Sequence, residues 1–226
     1  MILSVAVAVV ATAGVLSVYP KYSESVAVFS MPANKQVVVI DAGHGGWDPG
    51  KVGDAGTLEK DINLKIAEQL QSYLELGGAV ALVTRDTDEA TGETKRDDLK
   101  ERVSIADVNN ASMLISIHQN SFPDAKAHGA QVFYYSKSEE SKLLAECVQA
   151  QFAEFMQQGD KRLAKPNSDY YILKRTTSPA IIVECGFLSN ESDESLLNEE
   201  QYQEKVAWAI YMGVLNYFSE TQNLED

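Results

Sequence analysis

The chain is poor in positive charge, in cysteine and in histidine, and these shortages narrow what it can do. Lys and Arg total 19 against 33 Asp and Glu, a net charge of −14 over 226 residues. Binding nucleic acid requires clustered cations to neutralise phosphates, so no nucleic-acid partner is expected. The acidity otherwise bears only on solubility. The two cysteines, Cys147 and Cys185, form no C-x-x-C pair, and nothing signals a structural disulfide. There are only three histidines, His44, His118 and His128. Internal repeats and low-complexity blocks are absent, and the length allows one substantial core but not two large domains.

Long apolar runs are also absent, with one exception. Ile2 to Val18 holds only Ala, Val, Ile, Leu and Gly apart from Ser4, Thr12 and Ser17. That length lies between a signal-peptide core and a membrane span of about 20 apolar residues. A surface-packed helix would alternate polar and apolar faces, and this run does not. Residues 1–20 are therefore read as a signal peptide or N-terminal membrane anchor, 21–35 as a linker and 36–220 as a single folded domain, exported and extracytoplasmic. No Lys or Arg precedes the run, whereas Lys21 and Lys35 follow it, the reverse of the usual charge asymmetry for an exported C-terminal side. Small-x-small cleavage sites can be drawn at Ala11-Thr12-Ala13 and Ser25-Val26-Ala27, and neither stands out, which keeps an uncleaved anchor in view.

Within the domain, three short Val/Ile-rich runs end in chemically useful residues. Val37 to Asp41 leads into Ala42-Gly43-His44, Leu114 to Ile117 into His118, and Ile181 to Val183 into Glu184. Such runs read as buried parallel strands. Further strands are expected at Ala79–Val83, Gln131–Tyr135 and Tyr170–Leu173. Helical spacing marks Lys60–Glu75, Leu99–Val108, Glu139–Met156 and Glu199–Phe218, and the polar stretch Asp86–Asp98 reads as a surface loop. Strands alternating with helices predict an α/β fold of three layers, a mostly parallel central sheet flanked by helices. In open sheets of this kind the residues beyond the carboxyl ends of the strands share one crevice. His44, His118 and Glu184 would then be neighbours.

Two histidines and a glutamate, with a spare glutamate, are the ligand chemistry of a catalytic zinc site that keeps one position for water. We assign His44, Glu59 and His118 as ligands of one Zn²⁺ and Glu184 as the group that takes a proton from water and passes it to a leaving amine. His118 considered alone would read as a hydrogen-bonded core histidine; the second strand-end histidine shifts the balance towards metal. Glu59 at a helix start would serve equally well by favouring the helix dipole. A carboxylate directly after Ile181-Ile182-Val183 must be paired or functional, which favours a role for Glu184. His128 lies in a polar loop and reads as a solvated residue. Gly43-x-Gly45-Gly46 matches neither common phosphate-loop spacing. Cys185 as a nucleophile is the weaker reading beside Glu184.

Four blocks carry a specific likeness: Ile40-Asp-Ala-Gly-His-Gly-Gly-Trp-Asp-Pro-Gly50, Leu58-Glu-Lys-Asp61, Ser116-Ile-His-Gln-Asn120 and Val183-Glu-Cys-Gly-Phe-Leu-Ser-Asn190. Over roughly Gln36 to Phe218 the chain resembles the zinc-dependent N-acetylmuramoyl-L-alanine amidases that cleave peptidoglycan. The resemblance implies an α/β fold, a single zinc held at His44, Glu59 and His118, and a catalytic glutamate at Glu184. It also implies peptidoglycan as the partner, and makes 36–220 a zinc amidase catalytic domain. The apolar N-terminus and the Gly129-Ala-Gln-Val-Phe-Tyr-Tyr135 block look most like the germination-specific spore-cortex subgroup, which prepares muramic lactam. Cys185 departs from the small aliphatic residue expected there, at little cost in volume. A zinc peptidase acting on wall peptides and a catalytically idle wall-binding protein are the alternatives.

Overall fold

The structure, a computed structural model, describes residues 31–156 and 162–225, with the side chains of 223–225 left aside. The apolar run and both candidate cleavage sites lie outside the described residues. Among the described residues no helix is long and apolar enough to cross a membrane.

The elements follow in the order β1 (Val37–Ala42), α1 (Glu59–Leu76), β2 (Val80–Val83), α2 (Lys95–Val108), β3 (Met113–Asn120), β4 (Gln131–Tyr135), α3 (Glu139–Phe155), β5 (Lys165–Asn167), α4 (Tyr171–Arg175), β6 (Ala180–Phe187), α5 (Glu191–Leu197) and α6 (Glu200–Glu225). They build one sheet in the order β2-β1-β3-β6-β4-β5. The strands β2, β1, β3 and β6 run parallel, while β4 is antiparallel to β6 and carries β5 parallel to itself. The α/β reading with a mostly parallel sheet is borne out.

Strand periodicity decides which face each side chain takes. Val38, Ile40, Ile115, Ile117, Ile181 and Val183 bury against α1, α3 and α6 in the larger core. Val39, Leu114 and Ile182 bury on the other face, under α2 and α4. Two residues further along each strand come Asp41, Ser116 and Glu184, and four along β3 comes His118. The polar strand-end residues therefore all share the thinner face. Cys185, one residue out of phase, points into the larger core and is fully buried.

Three local assignments change. Tyr170–Leu173 is not a strand: the chain turns where Asn167 Oδ1 accepts from the amides of Asp169 and Tyr170 (2.7 and 2.9 Å), and residues 171–175 form a helix that buries Ile172 and Leu173. A short apolar run has no periodicity that separates buried strand from buried helix. Helix α2 begins at Lys95, inside the stretch read as a loop, because Thr94 Oγ1 caps it by accepting from Asp97 N at 3.2 Å. The edge strand β5 reads Lys165-Pro166-Asn167 and offers no apolar signal, and Pro is tolerated there because β5, among the described residues, pairs only with β4.

Candidate metal centre

The first ligand position sits on a loop that leaves β1 in a backbone shape most residues avoid. His44 has φ +62°, followed by Gly45 at +133° and Gly46 at +53°. A non-glycine residue there costs about 1–2 kcal/mol and persists only when its surroundings over-determine it. Gly43 precedes it because nothing larger fits: an added Cβ would run into the His118 ring. The result is a T-shaped approach of the two imidazoles, centroids 4.9 Å apart. His44 Nδ1 meets Asp48 Oδ2 at 2.9 Å, which leaves Nε2 directed at Glu59 Oε1, 3.1 Å away. A carboxylate on the far ring nitrogen is the usual way a ligating histidine is oriented.

Glu59 opens α1 and is 4 % exposed. Its Oε2 accepts from Lys51 N at 2.7 Å, and its Oε1 accepts from Gln119 N at 3.0 Å and lies 2.9 Å from His118 Nδ1. Burial alone would raise its pKa, yet the hydrogen bonds and charges of His118 and His44 hold the carboxyl well below the usual carboxylate range. The pKa of His118 moves up: burial opposes its charged form, and the carboxylates of Glu59, Glu184 and Asp41 together outweigh burial. One ligand atom from each of His44, Glu59 and His118 lies within 4.8 Å of the others, a set that could hold a metal ion.

Glu184 stands directly across from His118 in the β3–β6 register and lines the same cleft of about 280 Å³. It is 8 % exposed, and its Oε2 has no hydrogen-bond partner among the described residues. Burial, reinforced by Glu59, pushes this carboxyl up to about 7, against the pull of His118 and His44. A buried carboxyl with an unused oxygen, facing a cavity, is suited to exchanging protons. Leu99, Ile172 and Ile182 supply an apolar part of the wall, Lys95, Asp98 and Arg102 a charged part, and Tyr170 is partly exposed beside them. All four predicted site residues are thus gathered at one rim of the sheet.

The rival readings find no support. Burial pushes the Cys185 thiol far up, and its strand parity turns it away from the cleft. Both cysteines are free and buried. The amides of Gly43, Gly45 and Gly46 already donate to Ile117 O, Asp48 O and Asp88 O, so none is offered to a phosphate. His128 is exposed.

Behind the site lies a polar network that no sequence pattern announced. Arg102, 1 % exposed, directs Nε and Nη2 to Asp98 (2.7 and 3.1 Å), Nη1 to Asp41 Oδ1 (2.6 Å) and Ala42 O (2.8 Å), and Nη2 also to His44 O (2.7 Å). Asp41 also accepts from Thr84 Oγ1 (2.8 Å) and Ser116 Oγ (2.5 Å). Burial works to raise the Asp41 and Asp98 carboxyls, and Arg102 with the neighbouring hydroxyls lowers them further than burial raises them. In the folded state both therefore titrate below their unfolded value of about 4. The stability they contribute is present above that value and is lost as pH falls through the lower folded values. Between neutral pH and about 5 the raised carboxyl of Glu184 should lift urea midpoints as pH falls, and below about 4 the protonation of Asp41 and Asp98 should lower them; a midpoint that keeps rising below about 4 would contradict the network. Arg102→Met, which strands two carboxylates, should cost about 3–5 kcal/mol in urea unfolding at neutral pH.

Three comparisons place this geometry. The family model described as N-acetylmuramoyl-L-alanine amidase (Amidase_3) matches residues 38–216. The germination-specific N-acetylmuramoyl-L-alanine amidase of Bacillus subtilis (strain 168) is 39% identical over 200 residues, covering 85% of this chain and 84% of that protein. Among solved structures, the CwlD amidase from Clostridioides difficile, in complex with the GerS lipoprotein, superposes with a TM-score of 0.79 at 40% identity, over 82% of this chain and 100% of that one. A second N-acetylmuramoyl-L-alanine amidase, from Clostridium difficile 630, gives 0.76 at 34% identity, over 82% and 98%. With its matching blocks spread from β1 to α6 on the same sheet, the chain belongs to the N-acetylmuramoyl-L-alanine amidase family.

Proposed function

We propose that this protein hydrolyses the amide between the lactyl group of N-acetylmuramic acid and L-alanine in peptidoglycan, with one zinc ion held by His44, Glu59 and His118. The observation that carries the reading is the convergence of two imidazole nitrogens on Glu59 Oε1, at 2.9 and 3.1 Å, beside a buried glutamate with a free oxygen. Ligand atoms of a tetrahedral zinc with bonds of about 2.0–2.2 Å lie about 3.3–3.6 Å apart, and both imidazole-to-carboxylate separations are close to that spacing. Two imidazoles and one carboxylate also suit zinc better than a hard cation such as Mg²⁺. When bound, zinc supplies Lewis acidity for the scissile carbonyl and acidifies water.

The chain's own residues do the rest. Asp48 holds His44 in the tautomer that presents Nε2. Glu184 removes a proton from the attacking water and delivers it to the departing amine, leaving a muramic carboxylate and a free L-alanine amino group. Leu99, Ile172 and Ile182 give the cleft one apolar flank, alongside charged residues that include Lys95 and Arg102. The germination-specific relative supports a role in spore-cortex maturation, with muramic lactam formation downstream. Residues 1–20 as signal peptide or anchor, and 36–220 as an extracytoplasmic catalytic domain, complete the reading.

Digesting purified peptidoglycan with the protein and labelling new amino termini tests it. Labelled L-alanine is the expected result. A different exposed residue would make this a wall peptidase, and no new terminus from zinc-loaded protein would favour a binding protein.

A further inference from the structure

We propose that Arg85 is a positioning residue for the metal centre: a single guanidinium nitrogen bridges the backbone beside His44 and the backbone beside Glu59, and so sets the spacing of two ligands. This rests on the zinc-site reading above. Arg85 lies two residues beyond β2 and is 6 % exposed. Its Nη2 donates to Gly43 O (3.2 Å) and to Lys60 O (2.8 Å). Gly43 immediately precedes His44, and Lys60 immediately follows Glu59. Its Nε donates to Ala42 O (2.8 Å) and its Nη1 to Thr87 O (2.9 Å). All four bonds go to backbone carbonyls.

The loop it grips needs such a grip. His44 has positive φ, which Gly45 and Gly46 after it adopt freely but a non-glycine residue keeps only when its surroundings fix it. Side chains take up the carbonyls along the loop: Ala42 O receives Arg85 and Arg102, Gly43 O receives Arg85 and Asn63, His44 O receives Arg102, and Gly46 O receives Lys60. Arg102 ties the loop to β1 and α2, through Asp41 and Asp98. Lys60 and Asn63 reach the loop from α1 with their side chains, whereas Arg85 joins the two backbones, at the carbonyls next to His44 and next to Glu59. The packing is close, since a Cβ on Gly45 would lie 2.9 Å from Arg85 Nε.

A planar fork with five fixed donors can span two chain segments, and a lysine ammonium on a flexible stem cannot do so in the same geometry. Arg85→Lys keeps the charge and loses the bridge. Full-length wild type, Arg85→Lys and Arg85→Met would be compared by far-UV circular dichroism, by chelator competition for zinc, and by the visible spectrum of the Co²⁺-substituted protein. Folded variants should bind zinc about 10–100-fold more weakly, the range for losing an outer-shell partner, with an altered Co²⁺ spectrum. Wild-type affinity and an unchanged spectrum in a folded variant would overturn the proposal. So would failure of both variants to fold, which would make Arg85 a residue of the fold. A wild-type chain that binds no zinc would instead sink the metal-site reading on which the proposal depends.

Discussion

Glu184→Gln should lower turnover on peptidoglycan by about 10²–10⁴-fold, the usual contribution of a positioned acid–base group, while one zinc per chain is retained. The substitution preserves shape, and Glu184 is not among the three side chains that converge as ligands. Its Oε2 makes no hydrogen bond among the described residues, so the amide nitrogen breaks none there. Urea unfolding at neutral pH should show the variant at least as stable as wild type, because burial disfavours the charged carboxylate it replaces. The pH–rate profile supplies a second reading. Burial raises this carboxyl to about 7, and a base works only when ionised, so the wild-type rate falls as pH drops through its pKa. In the variant that acid limb should flatten. Wild-type turnover in the zinc-loaded variant would remove Glu184 from the chemistry.

His118→Ala should lower zinc affinity by more than about 100-fold, beyond the loss for an outer-shell partner, and leave the fold standing. The residue follows the buried run Met113–Ile117 of β3, its side chain is 20% exposed, and it takes the thinner face rather than the large core. Its neighbour Ile117 is fully buried and carries the packing. Glu59 would keep its bonds from Lys51 N and Gln119 N. Unchanged far-UV circular dichroism with lost metal is the expected result. Collapse of the fold on this substitution would show that His118 is a core histidine after all.

The site was legible because two kinds of signal coincide. Polar residues directly after runs such as Ile181-Ile182-Val183 stand out against strand chemistry, and parallel strands bring their carboxyl ends together whatever lies between them in sequence. Glu59 was less legible, since a helix start explains a glutamate as well as a metal does; the two imidazoles on its Oε1 are what support the metal reading. Asp48 had a weak signal, four residues after His44 in the same loop. Arg85 and Arg102 had none: each lies among polar residues, and only the packing of β2 and α2 against the His44 loop buries them. Tyr170–Leu173 misled because four apolar residues have no period, and the turn at Asn167 that sets their conformation precedes them.

From its order of residues alone, this chain determined an alternating α/β sheet and the placing of His44, His118 and Glu184 at its rim, because hydrophobic period and strand direction are local properties that fix what comes out at each strand end. What only the tertiary structure decided is how those side chains are held: which face they share, which ring nitrogen points inward, and which buried arginines lock a left-handed histidine in place. The arginine contacts join residues 25 to 61 positions apart, and no local pattern records a partner that far away.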